Sequence, residues 1–168
     1  GYSNPDTSLG GWHGIRFYDT PLTNDSSQIE YCRLEFGKAV APYWSENAGG
    51  ALCVLNYSKI KISNCLFVNN FAGGLESEGP SGGAIHLAWS DVNFDHCIFS
   101  DNTADNGGAV QYHESNPVFF ACTFRSNSAR DGGAIMSGGH STIKVISSTF
   151  EKNMAVNSAG AIRFLNNK

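Results

Sequence analysis

The side chains best placed to do chemistry sit in, or just beyond, the irregular stretches of the chain. Glu76 and Glu78 lie in GGLESEGPS at 73–81, and His86 follows in the next extended segment. Paired carboxylates are what glycosidic-bond hydrolysis requires, so these three are the first suspects for a catalytic group, although no catalytic residue is assigned on spacing. Trp44, Glu76 and Trp89 form a second set. If loops of successive repeats lie side by side, two indole faces would frame a carboxylate, as in a sugar-binding cleft; ring packing beneath the loops is the plainer expectation. Asp101 and Asp105 in SDNTADN offer oxygen ligands of the kind calcium takes. The Gly-rich nonapeptide of calcium-binding β-rolls is missing there, so the segment reads as a hydrated turn, and no metal or other cofactor is required.

Other constellations are weaker. The five histidines, at 13, 86, 96, 113 and 140, show no metalloprotease-like spacing. His140-Ser141 has no associated acid that would suggest a triad. Glu30 and Asp95 fall at equivalent repeat positions, but Ser63 lies between them and Phe120 and Ile146 follow, which makes a solvated surface rather than a catalytic column. Asn24-Asp25-Ser26 and Asn56-Tyr57-Ser58 match the N-glycosylation sequon.

What must position these groups is an internal repeat, the feature to seek before any other. Gly-Gly-Ala occurs at Gly49, Gly82, Gly107 and Gly132, with Ala159-Gly160-Ala161 as a variant, at steps of 33, 25, 25 and 27 residues. Each copy runs on to Cys65/Phe67, Cys97/Phe99, Cys122/Phe124 or Ser148/Phe150. Three residues later stands an Asn (Asn70, Asn102, Asn127, Asn153), and two after that an Ala. Trp12–Ala39 fits more loosely, with Cys32 and Leu34 at the Cys and Phe positions and Gly37 at the Asn position. The openings alternate with period two, which predicts strands. Their outward column is Arg16, Cys53, His86, Gln111, Met136 and Arg163, and a second strand ends at each Cys-x-Phe.

A unit of this length is too short for a helix pair. Strand–turn units stacked on copies of themselves predict an all-β parallel β-helix, or solenoid, whose rungs lie about 4.8 Å apart and bury their inner faces only through neighbours. The coils run 12–48, 49–81, 82–106, 107–131 and 132–158. Residues 1–11 are a partial coil or loose start, 159–168 a partial coil, and the whole a single domain. Columns of Asn, Phe and Cys should then form ladders, with amides bonded from rung to rung. The Asn position suits a left-handed backbone.

GGA[ILV] followed by F-x-x-N, with a Cys just before the Phe, resembles the repeats of chlamydial polymorphic outer membrane proteins. The chain is also similar to the broader right-handed, pectate-lyase-like β-helix proteins of bacterial surfaces. The likeness covers residues 49–164 well, and Trp12–Ala39 resembles coils of large secreted bacterial proteins. It implies right-handed coiling and an extracellular or cell-surface location. The implied role is an adhesin or rigid stalk that meets a host or environmental glycan or a surface protein. Members of this fold also include polysaccharide lyases, so a lyase or hydrolase, or its carbohydrate-binding part, is the alternative.

Composition agrees with a solenoid. Charged residues make up 15% of 168 positions, Gly numbers 19, and the net charge is −4 without a basic run. Nucleic-acid binding is therefore not expected. No apolar stretch approaches the ~20 residues of a membrane helix. Cys32, Cys65, Cys97 and Cys122 read as a buried small-residue column, since an inter-rung disulfide needs geometry the ladder does not guarantee. Both ends look uncapped, so the remainder of a longer chain or an assembly partner is expected there.

Overall fold

Alternation in four-residue segments such as IRFY, LCVL, IHLA and VQYH produces short strands, each followed by a corner. The computed structural model describes residues 11–21, 23–40, 48–73 and 81–165. The first coil carries β1 (Ile15–Tyr18), β2 (Ser27–Glu30), β3 (Arg33–Glu35) and β4 (Lys38–Ala39). The second carries β5 (Leu52–Leu55), β6 (Ile60–Ser63), β7 (Leu66–Val68) and β8 (Phe71–Ala72). The third has β9 (Ile85–Ala88), β10 (Asn93–Asp95), β11 (Ile98–Ser100) and β12 (Thr103–Asn106). The fourth has β13 (Val110–His113), β14 (Val118–Phe120), β15 (Thr123–Arg125) and β16 (Ser128–Asp131). The fifth has β17 (Ile135–Gly138), β18 (Lys144–Ile146), β19 (Thr149–Glu151) and β20 (Met154–Ser158), and β21 (Ile162–Arg163) follows.

Strands pair only with their equivalents in the coils above and below, always in parallel. The result is four sheets, β1-β5-β9-β13-β17-β21, β18-β14-β10-β6-β2, β19-β15-β11-β7-β3 and β20-β16-β12-β8-β4. The chain is thus an all-β parallel solenoid, with four strands per turn where the spacing had predicted two. Single left-handed residues make the extra corners. Asn64, His96, Ala121 and Ser147 break the second strand from the third, and Asn69, Asp101, Ser126 and Lys152 break the third from the fourth, all with φ near +50°. The left-handed residue is therefore the one before each ladder Asn, not the Asn itself.

The core is a set of like-on-like columns. Phe67, Phe99, Phe124 and Phe150 stack at 5.0, 4.6 and 4.7 Å with rings within 7° of parallel. Phe94 and Phe119 form a neighbouring stack at 4.9 Å, and Phe94 meets Phe99 edge-on at 5.8 Å. Each fully buried ring contributes roughly 2–3 kcal/mol of transfer free energy, and offset contacts add to it. The turn Gly107-Gly108 seals one corner. Gly107 has φ +60°, and a Cβ on Gly108 would lie 2.2 Å from the Gly133 carbonyl oxygen in the next coil.

Polar ladders close the remaining corners. Asn70 Nδ2 donates to Asn102 Oδ1 at 3.0 Å, Asn102 Nδ2 to Asn127 Oδ1 at 3.0 Å, and Asn127 Nδ2 to Asn153 Oδ1 at 2.9 Å. Gly37 joins this ladder through its backbone, donating to Asn70 Oδ1 at 2.8 Å. Cys65, Cys97 and Cys122 are buried free thiols in one column, each donating to backbone carbonyls, while Cys32 is exposed. Burial pushes the Cys65 thiol up to about 11, and the hydrogen bond with Cys122 together with burial raises Cys97 further.

Two ladders escape the repeat alignment. Ser90, Ser115 and Ser141 accept, through Oγ, from the backbone N of Tyr57, Ser90 and Ser115 at 3.1, 3.0 and 3.2 Å. Outside them, Asn116 donates twice to Asp91 Oδ1, at 2.7 and 3.1 Å, and Thr142 twice to Asn116 Oδ1, at 3.0 and 2.7 Å. The signal was present as Ser followed by Asp, Asn or Thr at 90–91, 115–116 and 141–142.

Candidate functional site on the outer face of the first sheet

In the first sheet the alternation sends Leu52 and Val54, or Ile85 and Leu87, into the core, so the residues between them face out. Register pairs Arg16 with Cys53, Cys53 with His86, His86 with Gln111, Gln111 with Met136 and Met136 with Arg163. Each step is one rung. The column does face away from the core, but its middle is not solvated: Cys53 is 0%, His86 3% and Gln111 7% exposed. The Gly-Gly turn packs closely against the backbone at the start of this sheet. A Cβ on Gly49 would lie 2.0 Å from the Leu52 oxygen and 2.8 Å from the His86 nitrogen.

Burial changes the chemistry of these groups. Withdrawal from water takes His86 down to about 4, with the Gln111 side chain opposing and the positive fields of His113 and Arg16 assisting. Burial likewise pushes the Cys53 thiol up to about 11 against the attraction of Arg16. At neutral pH the column holds a neutral imidazole, a protonated thiol and a guanidinium. That set does not make His86 an acid–base partner at neutral pH, nor Cys53 an activated nucleophile.

Polar satisfaction is incomplete there. Arg16 Nη1 donates to the Gly49 carbonyl, but Arg16 Nη2, His86 Nδ1 and Gln111 Oε1 are buried without a hydrogen-bond partner. Tyr112 OH is the other such atom among the described residues, and it faces the core. Gln111 Nε2 makes only a 3.5 Å contact with the Tyr112 carbonyl. Arg163, at the far end of the column, shows the contrast: it forms an ion pair with Asp131, which also accepts from Ser158 Oγ at 2.7 Å.

At the corner following this sheet the chain is left-handed in every coil, at Asp19, Asn56, Trp89, Glu114 and Gly139. Trp89 is 54% exposed, and its ring meets His113 edge-on at 5.8 Å. On the next rung Glu114 Oε1 lies 3.8 Å from His113 Nε2 and accepts from the His140 backbone N at 3.1 Å. An open indole face, an imidazole and a carboxylate therefore lie together. Trp89 was expected beside Trp44 and Glu76; those two, and Glu78, lie outside the described residues. Its observed neighbours, His113 and Glu114, were missed because the relevant offset crosses one rung and one corner.

The remaining sequence candidates are placed as follows. Glu30, Ser63, Asp95, Phe120 and Ile146 do share one register on the second sheet. Glu30 is occupied by Lys61 at 3.0 Å and by Ser63 Oγ at 2.9 Å, and Lys61 holds its carboxyl below the usual range. Asp95 is paired with His96 Nδ1 at 2.8 Å. Asp101 sits at a left-handed corner ahead of β12, and Asp105 lies within β12. Among the described residues no group of three or more His, Cys, Asp or Glu side chains converges as a metal site would.

Comparison with known proteins agrees with this architecture. A family model described as a right handed beta helix region matches residues 13–168. No curated protein and no solved structure matches the chain.

Proposed function

Because this chain belongs to the right-handed β-helix family, we propose that it is a rigid, non-enzymatic segment of a secreted or cell-surface bacterial protein, serving as stalk and adhesive face. The observation that carries this reading is the unbroken ladder from Gly37 through Asn70, Asn102 and Asn127 to Asn153, which ties five successive coils together. Such a ladder makes a stiff rod whose faces are spaced at strand intervals. The resemblance of its GGA and F-x-x-N words to surface-protein repeats supports an extracellular setting. The ligand of such a face is a glycan or a surface protein.

A second reading, a carbohydrate-binding part of a lyase or hydrolase, is favoured by one observation: exposed Trp89 beside His113 and Glu114. One experiment separates the two. The protein is applied to a panel of acidic and neutral polysaccharides, with and without calcium, and both retention and released products are scored. Retention without cleavage, lost in Trp89→Ala, supports an adhesive face centred on the corner. Cleavage overturns the non-enzymatic reading. Neither retention nor cleavage removes the glycan-adhesive role and leaves the stalk.

A further inference from the structure

We infer that the corner built by Trp89, His113 and Glu114 selects a cationic amino sugar, a glucosamine-type unit with a free amine, over a neutral or acidic sugar. The inference rests on the reading of this corner as a glycan-binding face and names the ligand class such a face would take.

Geometry brings the three groups together. Ala88 and His113 are register partners, so Trp89 and Glu114, each next in the chain and each left-handed, hold the same corner position on adjacent rungs. That is a step of about 4.8 Å. His113 bridges them: its ring meets the Trp89 ring at 5.8 Å and 85°, and its Nε2 lies 3.8 Å from Glu114 Oε1. The edge-on contact leaves more than half of Trp89 open to solvent. On the following rung this corner carries Gly138 and Gly139, so no side chain rises over His113 and Glu114 from those positions. A Cβ on Gly139 would lie 2.5 Å from Glu114 Oε1 and 2.7 Å from the His113 ring.

Charge then selects the ligand. Glu114 Oε1 accepts from the His140 backbone N at 3.1 Å. Asp91, two residues beyond Trp89, takes both Asn116 bonds on Oδ1, at 2.7 and 3.1 Å. Each carboxylate is thus held through one oxygen, which leaves the other for a ligand. Among the described residues no Lys or Arg forms an ion pair with either. Of the 11 Lys and Arg in the chain, only Lys168 lies outside the described residues. Lys59, beside the Ser58 that binds the Asp91 backbone, donates instead to the Asn24 carbonyl at 3.3 Å.

A uronate at this corner would bring a further negative charge toward two carboxylates. A neutral sugar would gain the indole face alone. A protonated amino sugar gains both, because its apolar ring face stacks on Trp89 while its ammonium group forms a charge-assisted hydrogen bond with Glu114 one rung on.

The test measures binding of glucosamine, N-acetylglucosamine and galacturonate oligomers of equal length to the whole chain. It is run at low ionic strength and at a pH that protonates the sugar amine, with oligolysine as a fourth probe. The glucosamine oligomer should bind about tenfold tighter than its acetylated counterpart, the worth of one charge-assisted hydrogen bond, and the galacturonate oligomer should not bind. Glu114→Gln should remove that tenfold advantage and leave the acetylated oligomer unchanged. Trp89→Asn, which installs the residue that Asn56 supplies at the same left-handed corner, should weaken both. Glu151→Gln, an exposed carboxylate on another sheet, should alter neither. Equal binding of the two oligomers, both lost in Trp89→Asn, overturns the charge selection while the glycan-binding face stands. No binding of any oligosaccharide removes that face and the inference with it. Tighter binding of oligolysine, abolished by Trp89→Asn, makes the occupant a basic peptide and also overturns the inference.

Discussion

Asn127 Oδ1 accepts two hydrogen bonds from a single residue of the neighbouring coil, from Asn102 Nδ2 at 3.0 Å and from the Asn102 backbone N at 3.1 Å. Asn102 in turn does the same for Asn70, at 3.0 and 2.9 Å, and its Nδ2 also reaches the Phe67 carbonyl at 2.9 Å. One side chain thus satisfies two backbone groups of one neighbouring coil and bonds to the side chain of the other. No other residue type of that size carries both an acceptor and a two-hydrogen donor in one plane.

Asn102→Ala should therefore destabilise far beyond a surface substitution. It strands the buried Asn70 N–H and Phe67 carbonyl and takes a partner from Asn127. At ~1–3 kcal/mol for each unsatisfied group the loss is roughly 3–5 kcal/mol. Asn153→Ala, at a half-buried rung, should cost less. Urea unfolding midpoints of the two variants check the order, and equal small effects would show that the amide ladder is dispensable.

Gly108→Ala tests the sealed corner. The new Cβ would meet backbone, the Gly133 carbonyl and the Ser128 amide, at 2.2 and 2.7 Å, and backbone in a paired ladder has no room to yield. The expected cost is more than ~2 kcal/mol, larger than ordinary helix- or strand-propensity effects. The same substitution at Gly160, whose nearest contact is 3.0 Å, should be milder. Comparing their melting temperatures decides it.

His86 sets an acid limit on stability. Its pKa falls from 6.5 to about 4 on folding, so between those values the unfolded chain binds the extra proton and stability rises with pH. The contribution is complete above pH 6.5 and is lost as pH falls through the window toward 4, a swing of roughly 3 kcal/mol. His86→Gln should flatten that part of the stability–pH curve. An unchanged slope in the variant would show that His86 is not buried neutral.

Thiol reactivity should follow position along the column. Cys32 is exposed, whereas Cys53, Cys65, Cys97 and Cys122 are buried. Burial also keeps Cys53 and Cys65 protonated at neutral pH, and the thiol form is unreactive. Iodoacetamide on the native protein should label Cys32 alone, with the other four appearing on unfolding. Rapid native labelling of Cys97 or Cys122 would contradict a continuous packed core.

The repeat by itself determined the parallel solenoid, the coil register, and the Phe, Cys and Asn columns. These follow because each rung pairs with its own copy, so equal spacing along the chain becomes adjacency in space. The outward register from Arg16 to Arg163 was legible for the same reason. Tertiary structure decided which outward groups meet water. Cys53, His86 and Gln111 look polar-side in sequence, yet the folded chain buries them, and no periodicity encodes that burial. It also decided where the corners fall: the left-handed residues Asn64, His96, Ala121 and Ser147 split the expected second strand in two, and a further corner falls one residue before each ladder Asn. Trp89, His113 and Glu114 come together only across a corner and a rung, where chain neighbours and register neighbours are no longer the same residues.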